Sequence, residues 1–125
     1  MKTAKCGIIL NTENYSECVR FYRDSLGLPV SFEKEDPGGQ LTCFEFTGAY
    51  LMVETGGDAV SGCKPITRCP TKLRFNVFDI EAAVAQLEST GVTVDVRFHS
   101  WGTTAEFCDP DGNRCALRSV TDFAT

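Results

Sequence analysis

The sequence lacks the marks of several protein classes. No apolar run approaches ~20 residues, so no membrane-spanning helix is expected. Met1–Lys5 leads straight into "CGIIL". That stretch is too short for the apolar part of a secretory leader and reads better as a strand, so a cytoplasmic protein is expected. Basic residues are outnumbered, with 12 Lys and Arg against 17 Asp and Glu, for a formal net charge of −5. A nucleic acid is therefore not an expected partner. No C-x-x-C occurs, and the spacings between Cys63 and Cys69 and between Cys108 and Cys115 suit neither a zinc ribbon nor a zinc finger. Histidine and tryptophan each occur once, as His99 and Trp101. His99 reads as a surface or rim residue.

Cysteine itself is plentiful, at seven residues. The odd number and the missing leader read as reduced thiols used as small apolar side chains. The chain has 125 residues, 42% of them hydrophobic, enough for one ordinary domain or two packed half-domains.

Two segments resemble each other. "GIILNTENYSECVRFYRDSLGLPVSF" matches "KLRFNVFDIEAAVAQLESTGVTVDV", with Asn11, Asn14, Tyr15, Val19 and Tyr22 facing Asn76, Asp79, Ile80, Val84 and Leu87 at a constant offset of 65. A long period occurring twice points to two copies of one supersecondary unit. Each copy begins with a strand, Cys6–Leu10 or Leu73–Val77, followed by a helix-cap residue, Asn14 or Asp79. An amphipathic helix comes next. Ile80, Ala83, Val84 and Leu87 stand at i, i+3, i+4 and i+7. Gly27 and Gly91 end the helices. Three strand-like runs follow in each copy: "PVSFEKE", "LTCFEFT" and "YLMVET", then "VTVDVRF", "TTAEFC" and "RCALRS".

The predicted fold class is therefore α+β: tandem βαβββ modules forming curved mixed sheets around a concave groove, with the helices outside. The modules are expected over residues 1–55 and 71–125, joined by a Gly- and Pro-rich linker over residues 56–70. Asn11 and Asn76 read as structural residues that bond backbone at the strand–helix corner. "DPDGN" resembles half a calcium loop but has Arg114 where glycine is needed and Val120 where glutamate is needed. It reads instead as a hairpin turn, with Pro110 presetting φ and Gly112 taking positive φ.

The order "CVRFYRDSLGLPV", "FNVFDIEAAVAQLESTGVTV", "WGTTAEFCDPDGNRCAL" resembles the vicinal oxygen chelate superfamily over residues 5–119. That group includes glyoxalase I, extradiol dioxygenases, fosfomycin-resistance enzymes and bleomycin-resistance proteins. The resemblance implies a divalent metal held from the first and last strands of each module. Carried onto this chain, those positions are Gly7, Met52, Lys72 and Ala116. Gly and Ala have no donor, Met is a soft thioether and protonated Lys repels a dication. No metal and no cofactor are expected.

The function these readings support is a metal-free protein of the bleomycin-resistance type that sequesters a small molecule. The guest is expected to be cationic or aromatic, and a homodimer is implied by the family. Expected pocket residues are Gly7, Ile9, Met52, Glu54, Lys72, Arg74, His99, Trp101, Ala116 and Arg118. Lys72 and Arg74 share one strand face and would suit an anion. Two alternatives stand beside this reading. One is a metal-dependent glyoxalase-like lyase or dioxygenase-like enzyme with atypical ligands, in which Glu54, His99 and Glu106 would supply acid–base chemistry. The other is a dimeric interaction module whose groove is filled by Phe44, Phe46, Met52 and Trp101.

Overall fold

The structure is a computed structural model and describes residues 1–121, 123 and 124. The chain divides into two compact units, Met1–Ala59 and the residues from Val60 onward. The first unit runs β1 (Gly7–Thr12), α1 (Tyr15–Arg20), β2 (Val30–Asp36), β3 (Gly39–Phe46) and β4 (Ala49–Thr55). The second runs β5 (Leu73–Val77), α2 (Ile80–Ser89), β6 (Asp95–His99), β7 (Gly102–Cys108) and β8 (Arg114–Ser119). The expected βαβββ order is present in both units, and the fold is α+β. Among the described residues no helix is long and apolar enough to cross a membrane.

Each unit forms one four-stranded mixed sheet, in the orders β1-β4-β3-β2 and β5-β8-β7-β6. The first strand lies parallel to the last, and the other pairings are antiparallel. The parallel pairing needs a crossover, which the helix supplies. Each helix packs on the last strand of its own unit.

Alternation then divides each sheet into two faces. Phe44, Leu51 and Val53 meet Cys18, Val19, Phe21 and Tyr22 under α1, and all are buried. Leu73, Ala105, Phe107, Cys115 and Leu117 are the buried counterparts in the second sheet, with Leu87 from α2. Burying one such Leu or Phe side chain contributes roughly 1.5–3 kcal/mol. Phe44 is thus core beneath a helix, and Phe46 shares its strand face. This corrects the expectation that both would fill a groove.

The helix ends differ. Asp79 caps α2 as expected, its Oδ1 accepting from Ala82 N at 3.0 Å. Asn14 makes no such side-chain bond to α1. Its carbonyl instead accepts from Cys18 N at 3.0 Å. Beyond Arg20 the first helix widens over Phe21–Ser25, where Leu26 N donates to Phe21 O five residues back. The second helix closes with Gly91 N on Glu88 O and Val92 N on Leu87 O, with Gly91 at φ +89°. That paired closure needs a left-handed residue, which glycine adopts without strain. β6 begins at Asp95, three residues later than the run "VTVDVRF" suggested, because its ladder with β7 starts at the Asp95–Glu106 pair.

The cysteines bring a correction. Cys63 and Cys108 form a disulfide with Cα atoms 5.8 Å apart, so the expectation of reduced thiols throughout does not hold for this pair. Cys6, Cys18, Cys43, Cys69 and Cys115 are not in disulfides. The disulfide ties the segment after Val60 to the end of β7. Two backbone bonds reinforce it, Val60 N to Asp111 O and Lys64 N to Gly112 O. The Lys64 ammonium also donates to Asn113 Oδ1 at 2.8 Å.

That segment covers the "DPDGN" turn. The turn closes through Gly112 N on Asp109 O at 2.9 Å, with Gly112 at φ +85°, as the hairpin reading required. Its burial was not expected, yet Asp109, Asp111 and Asn113 are all buried. The turn satisfies its own polar groups. Asp109 Oδ1 accepts from the backbone N of Asp111 and Asn113, and its Oδ2 accepts from Asn113 Nδ2. A carboxylate saturated by N–H donors is a turn strut and not a cation ligand.

Candidate functional site

The strand face opposite the helix carries the expected site residues in both units. In the first sheet, register places Gly7 beside Tyr50, Ile9 beside Met52 and Asn11 beside Glu54. Cys43 and Leu41 continue the last two rows. Gly7, Ile9, Met52 and Glu54 therefore share one face. Asn11 has the backbone-bonding role expected of it, donating to Thr55 O at 3.1 Å.

Gly7 is committed to its neighbour. A Cβ at this position would lie 2.2 Å from the ring carbons of Tyr50. The ring sits where a ligating side chain would project. Next to Met52, burial pushes the Cys43 thiol up from its ordinary pKa, opposed by the charge of Lys5. This sulfur stays protonated at neutral pH and is a poor nucleophile or metal ligand.

In the second sheet, one row joins Arg74, Ala116, Glu106 and Asp95, and the next joins Asn76, Arg118, Thr104 and Arg97. Lys72 precedes β5 and belongs to the same face, since its Nζ donates to Glu106 Oε1 at 2.7 Å. The ammonium is thus spent on a carboxylate. The other oxygen, Glu106 Oε2, is buried with no hydrogen-bond partner among the described residues.

Beyond Glu106 lies a ladder of flat groups. His99 stacks on Trp101 with centroids 4.3 Å apart and planes 6° from parallel. Its Nε2 is hydrogen-bonded to Thr104 Oγ1 at 3.0 Å. The Arg118 guanidinium lies 5.1 Å from the Trp101 ring and 5.0 Å from the Phe123 ring. Arg74 lies 5.7 Å from the other end, Phe123. Arg118 is only 3% exposed and is held by carbonyls: Nη2 donates to Trp101 O, and Nη1 to Ser119 O and Thr121 O.

The structure thus brings Lys72, Arg74, His99, Trp101, Ala116 and Arg118 onto one face of one sheet. Two further members of that face had little signal. Glu106 read more naturally as a solvent-facing strand residue, although its alternation with Thr104 was visible. Phe123 follows the last strand, where no periodicity marks it. Among the acid–base candidates, His99 holds Thr104 and Glu106 holds Lys72, so these two are engaged separately.

A separate open cleft of about 400 Å³ lies on the helix side of the first sheet. Tyr15, Arg20 and Arg23 line one wall and Glu33, Glu35 and Gln40 the other. None of the expected site residues lines it. The Tyr15 and Thr42 hydroxyls are bonded to each other within it.

The donor chemistry can be tested against a divalent metal. The four positions implied by the family hold a glycine under a ring, a thioether, an ion-paired ammonium and a methyl group. Among the described residues no cluster of three or more His, Cys, Asp or Glu side chains is arranged to hold a metal ion. These residues do not fit the metal.

Comparison with known proteins agrees with this architecture. The family model described as "Glyoxalase-like domain" matches residues 7–118. The uncharacterized protein YraH of Bacillus subtilis (strain 168) is 28% identical over 122 residues, covering 90% of this chain and 94% of that protein. TnmS3, an antibiotic binding protein from Streptomyces sp. CB03234, superimposes with a TM-score of 0.71 at 21% identity, covering 94% of this chain and 96% of the other. FosX, a fosfomycin resistance protein from Listeria monocytogenes complexed with Mn(II) and sulfate, gives 0.72 at 14% identity, covering 97% and 95%. With the family match spanning both repeats, the chain belongs to the glyoxalase-like domain family of the vicinal oxygen chelate superfamily.

Proposed function

We propose that this chain is a metal-independent protein that binds and sequesters a small molecule. One observation carries the reading: none of the four positions where the family's metal-dependent members place ligands offers a usable donor here. Tyr50 covers Gly7, Lys72 is paired with Glu106, and Met52 and Ala116 supply a thioether and a methyl. Binding by such a face needs apolar contact area and a few oriented polar groups. Trp101, Arg74 and Arg118 on the second sheet supply both. TnmS3, a similar fold that binds an antibiotic, is a precedent for this use. The reading includes a homodimer, as the family implies, and invokes no cofactor.

The test has two arms. Incubating the purified protein with nickel, cobalt, zinc or manganese, followed by dialysis and elemental analysis, is expected to leave far less than one equivalent bound. A thermal-shift screen across chemically diverse small molecules is expected to yield concentration-dependent stabilisers. A stoichiometric, tightly held metal overturns the proposal and favours an enzyme with atypical ligands. A screen without hits favours the interaction module.

A further inference from the structure

We infer that the guest is a planar aromatic anion, such as an aromatic carboxylate, bound on the second unit's sheet by Arg74, Trp101 and Phe123; this rests on the binding function proposed above. Three observations point there.

The first is charge. The chain is acidic overall, with a formal net charge of −5, yet this face is not. Register and pairing collect Lys72, Arg74, Arg97, Arg114 and Arg118 on it against only Asp95 and Glu106 among the described residues. Both carboxylates are already taken, Glu106 by Lys72 and Asp95 by Arg97 at 2.9 Å. Arg114 donates to Cys69 O at 3.0 Å. Arg74 and Arg118 have no carboxylate partner among the described residues. A face with surplus positive charge favours an anion.

The second is the burial of Arg118. A nearly buried guanidinium is costly unless its charge is met. Carbonyl oxygens of Ser119, Thr121 and Trp101 accept from its Nη atoms and two rings lie against it, but no carboxylate pairs with it among the described residues. With its Nη atoms engaged, Arg118 positions Trp101 and contributes field. It is a positioning residue for the guest. Arg74, exposed at the other end of the ladder, keeps its guanidinium available for a bidentate pair with a carboxylate.

The third is shape. The ladder presents two aromatic rings that remain open to solvent, Trp101 at 47% exposure and Phe123 at 53%. Exposed aromatic rings within reach of a free guanidinium suit a guest that is flat and anionic together. A cation would have to approach Arg74 and Arg118 with no free carboxylate on this face, among the described residues, to oppose them. The proposal departs from the expectation of a cationic guest and keeps its aromatic part.

Trp101 is the only tryptophan in the chain, so its emission reports this site alone. Intact protein is titrated with 4-nitrobenzoate and with 4-nitrobenzylammonium, which pair the same ring with opposite charges. N-acetyltryptophanamide corrects for absorbance and collisional quenching. The expected result is saturable quenching by the anion and none by the cation. Arg74→Gln weakens the anion about tenfold, the loss of one charge-assisted contact, while Arg74→Lys retains part of the affinity. Because Arg74 is exposed, these variants keep the fold, and their unchanged melting temperatures check this. Saturable quenching by the cation at lower concentration overturns the charge assignment and leaves the binding function standing. Equal anion affinity in Arg74→Gln overturns the site. If neither ligand quenches or stabilises the protein while the diverse screen finds other ligands, the guest class is wrong. An empty screen defeats the binding function itself.

Discussion

The Tyr50 ring fills the space that any side chain at position 7 would need, with ring carbons 2.2 Å from an ideal Cβ there. The two residues are direct neighbours in the parallel β1–β4 ladder. The glycine and the tyrosine thus form one unit, with the ring lying where a side chain at position 7 would project. Gly7→Ala is expected to push the ring off the sheet and cost about 1 kcal/mol, in the range for overpacking. In a Tyr50→Ala background the same substitution is expected to be nearly neutral. Urea denaturation of the four proteins yields the coupling, and additive effects would show that the ring and the glycine are independent.

Lys72 and Glu106 form a second committed pair, less than a third exposed on either side. Lys72→Met leaves the Glu106 carboxylate partly buried without its cation and is expected to cost about 1–3 kcal/mol. Replacing both, as Lys72→Met with Glu106→Met, is expected to recover most of that loss, because two apolar groups leave nothing unpaired. Chemical denaturation measures both. A double variant weaker than the single would mean that the pair stabilises beyond mutual satisfaction.

The Cys63–Cys108 disulfide closes a loop with a sequence separation of 45. Chain-entropy reasoning assigns such a loop up to ~4 kcal/mol of stability. Dithiothreitol is expected to lower the urea midpoint by an amount within that bound. Cys63→Ser is expected to do the same without reductant. Alkylation of the unfolded, unreduced protein should modify five cysteines, and seven after reduction. Seven modified cysteines without reductant would refute the pairing.

Asp109 holds the buried turn through three hydrogen bonds, two from backbone N–H groups and one from Asn113. Asp109→Ala leaves those donors unmet in a buried loop and is expected to cost about 2–4 kcal/mol, at roughly 1–3 kcal/mol per unsatisfied group with partial relaxation. Asp109→Asn retains an acceptor and is expected to cost less. Thermal unfolding ranks the two variants, and equal losses would contradict the role of the carboxylate as acceptor.

Burial raises the Cys43 thiol's pKa, so the folded state holds this proton to higher pH than the unfolded chain does. The stability tied to the neutral thiol is fully present below the ordinary thiol range, near 8.5. It declines as pH rises from there through the raised folded value, because the unfolded chain releases its proton first. Stability measured from pH 7 to 10 is expected to fall less steeply in Cys43→Ala than in the parent. Parallel curves would remove Cys43 as a contributor.

Most of the fold was legible as pattern. The 65-residue offset, the 3.6-period stripe of Ile80, Ala83, Val84 and Leu87, and the alternation of the strand runs each depend on neighbours close in sequence. Those local periods locate the helices and seven of the eight strands to within about two residues, and place Lys72 and Arg74 on one strand face. β6 started later because strand ends are decided by the partner's ladder and not by the strand's own residues.

What a side chain does on its face lay outside that local information. Lys72 was visible as a cation in a first strand; that Glu106, 34 residues away, neutralises it is a fact of register. Gly7 was visible as a missing donor, whereas the Tyr50 ring above it depends on the β1–β4 pairing. Seven cysteines offered no hint that Cys63 reaches Cys108. His99, Trp101 and Arg118 could be listed but not stacked, and Phe123 carried no signal at all. Hydrophobic period assigns elements and faces because it repeats along the chain. Pairing of charges, rings and thiols is decided by which strands lie side by side, and only the tertiary structure contains that.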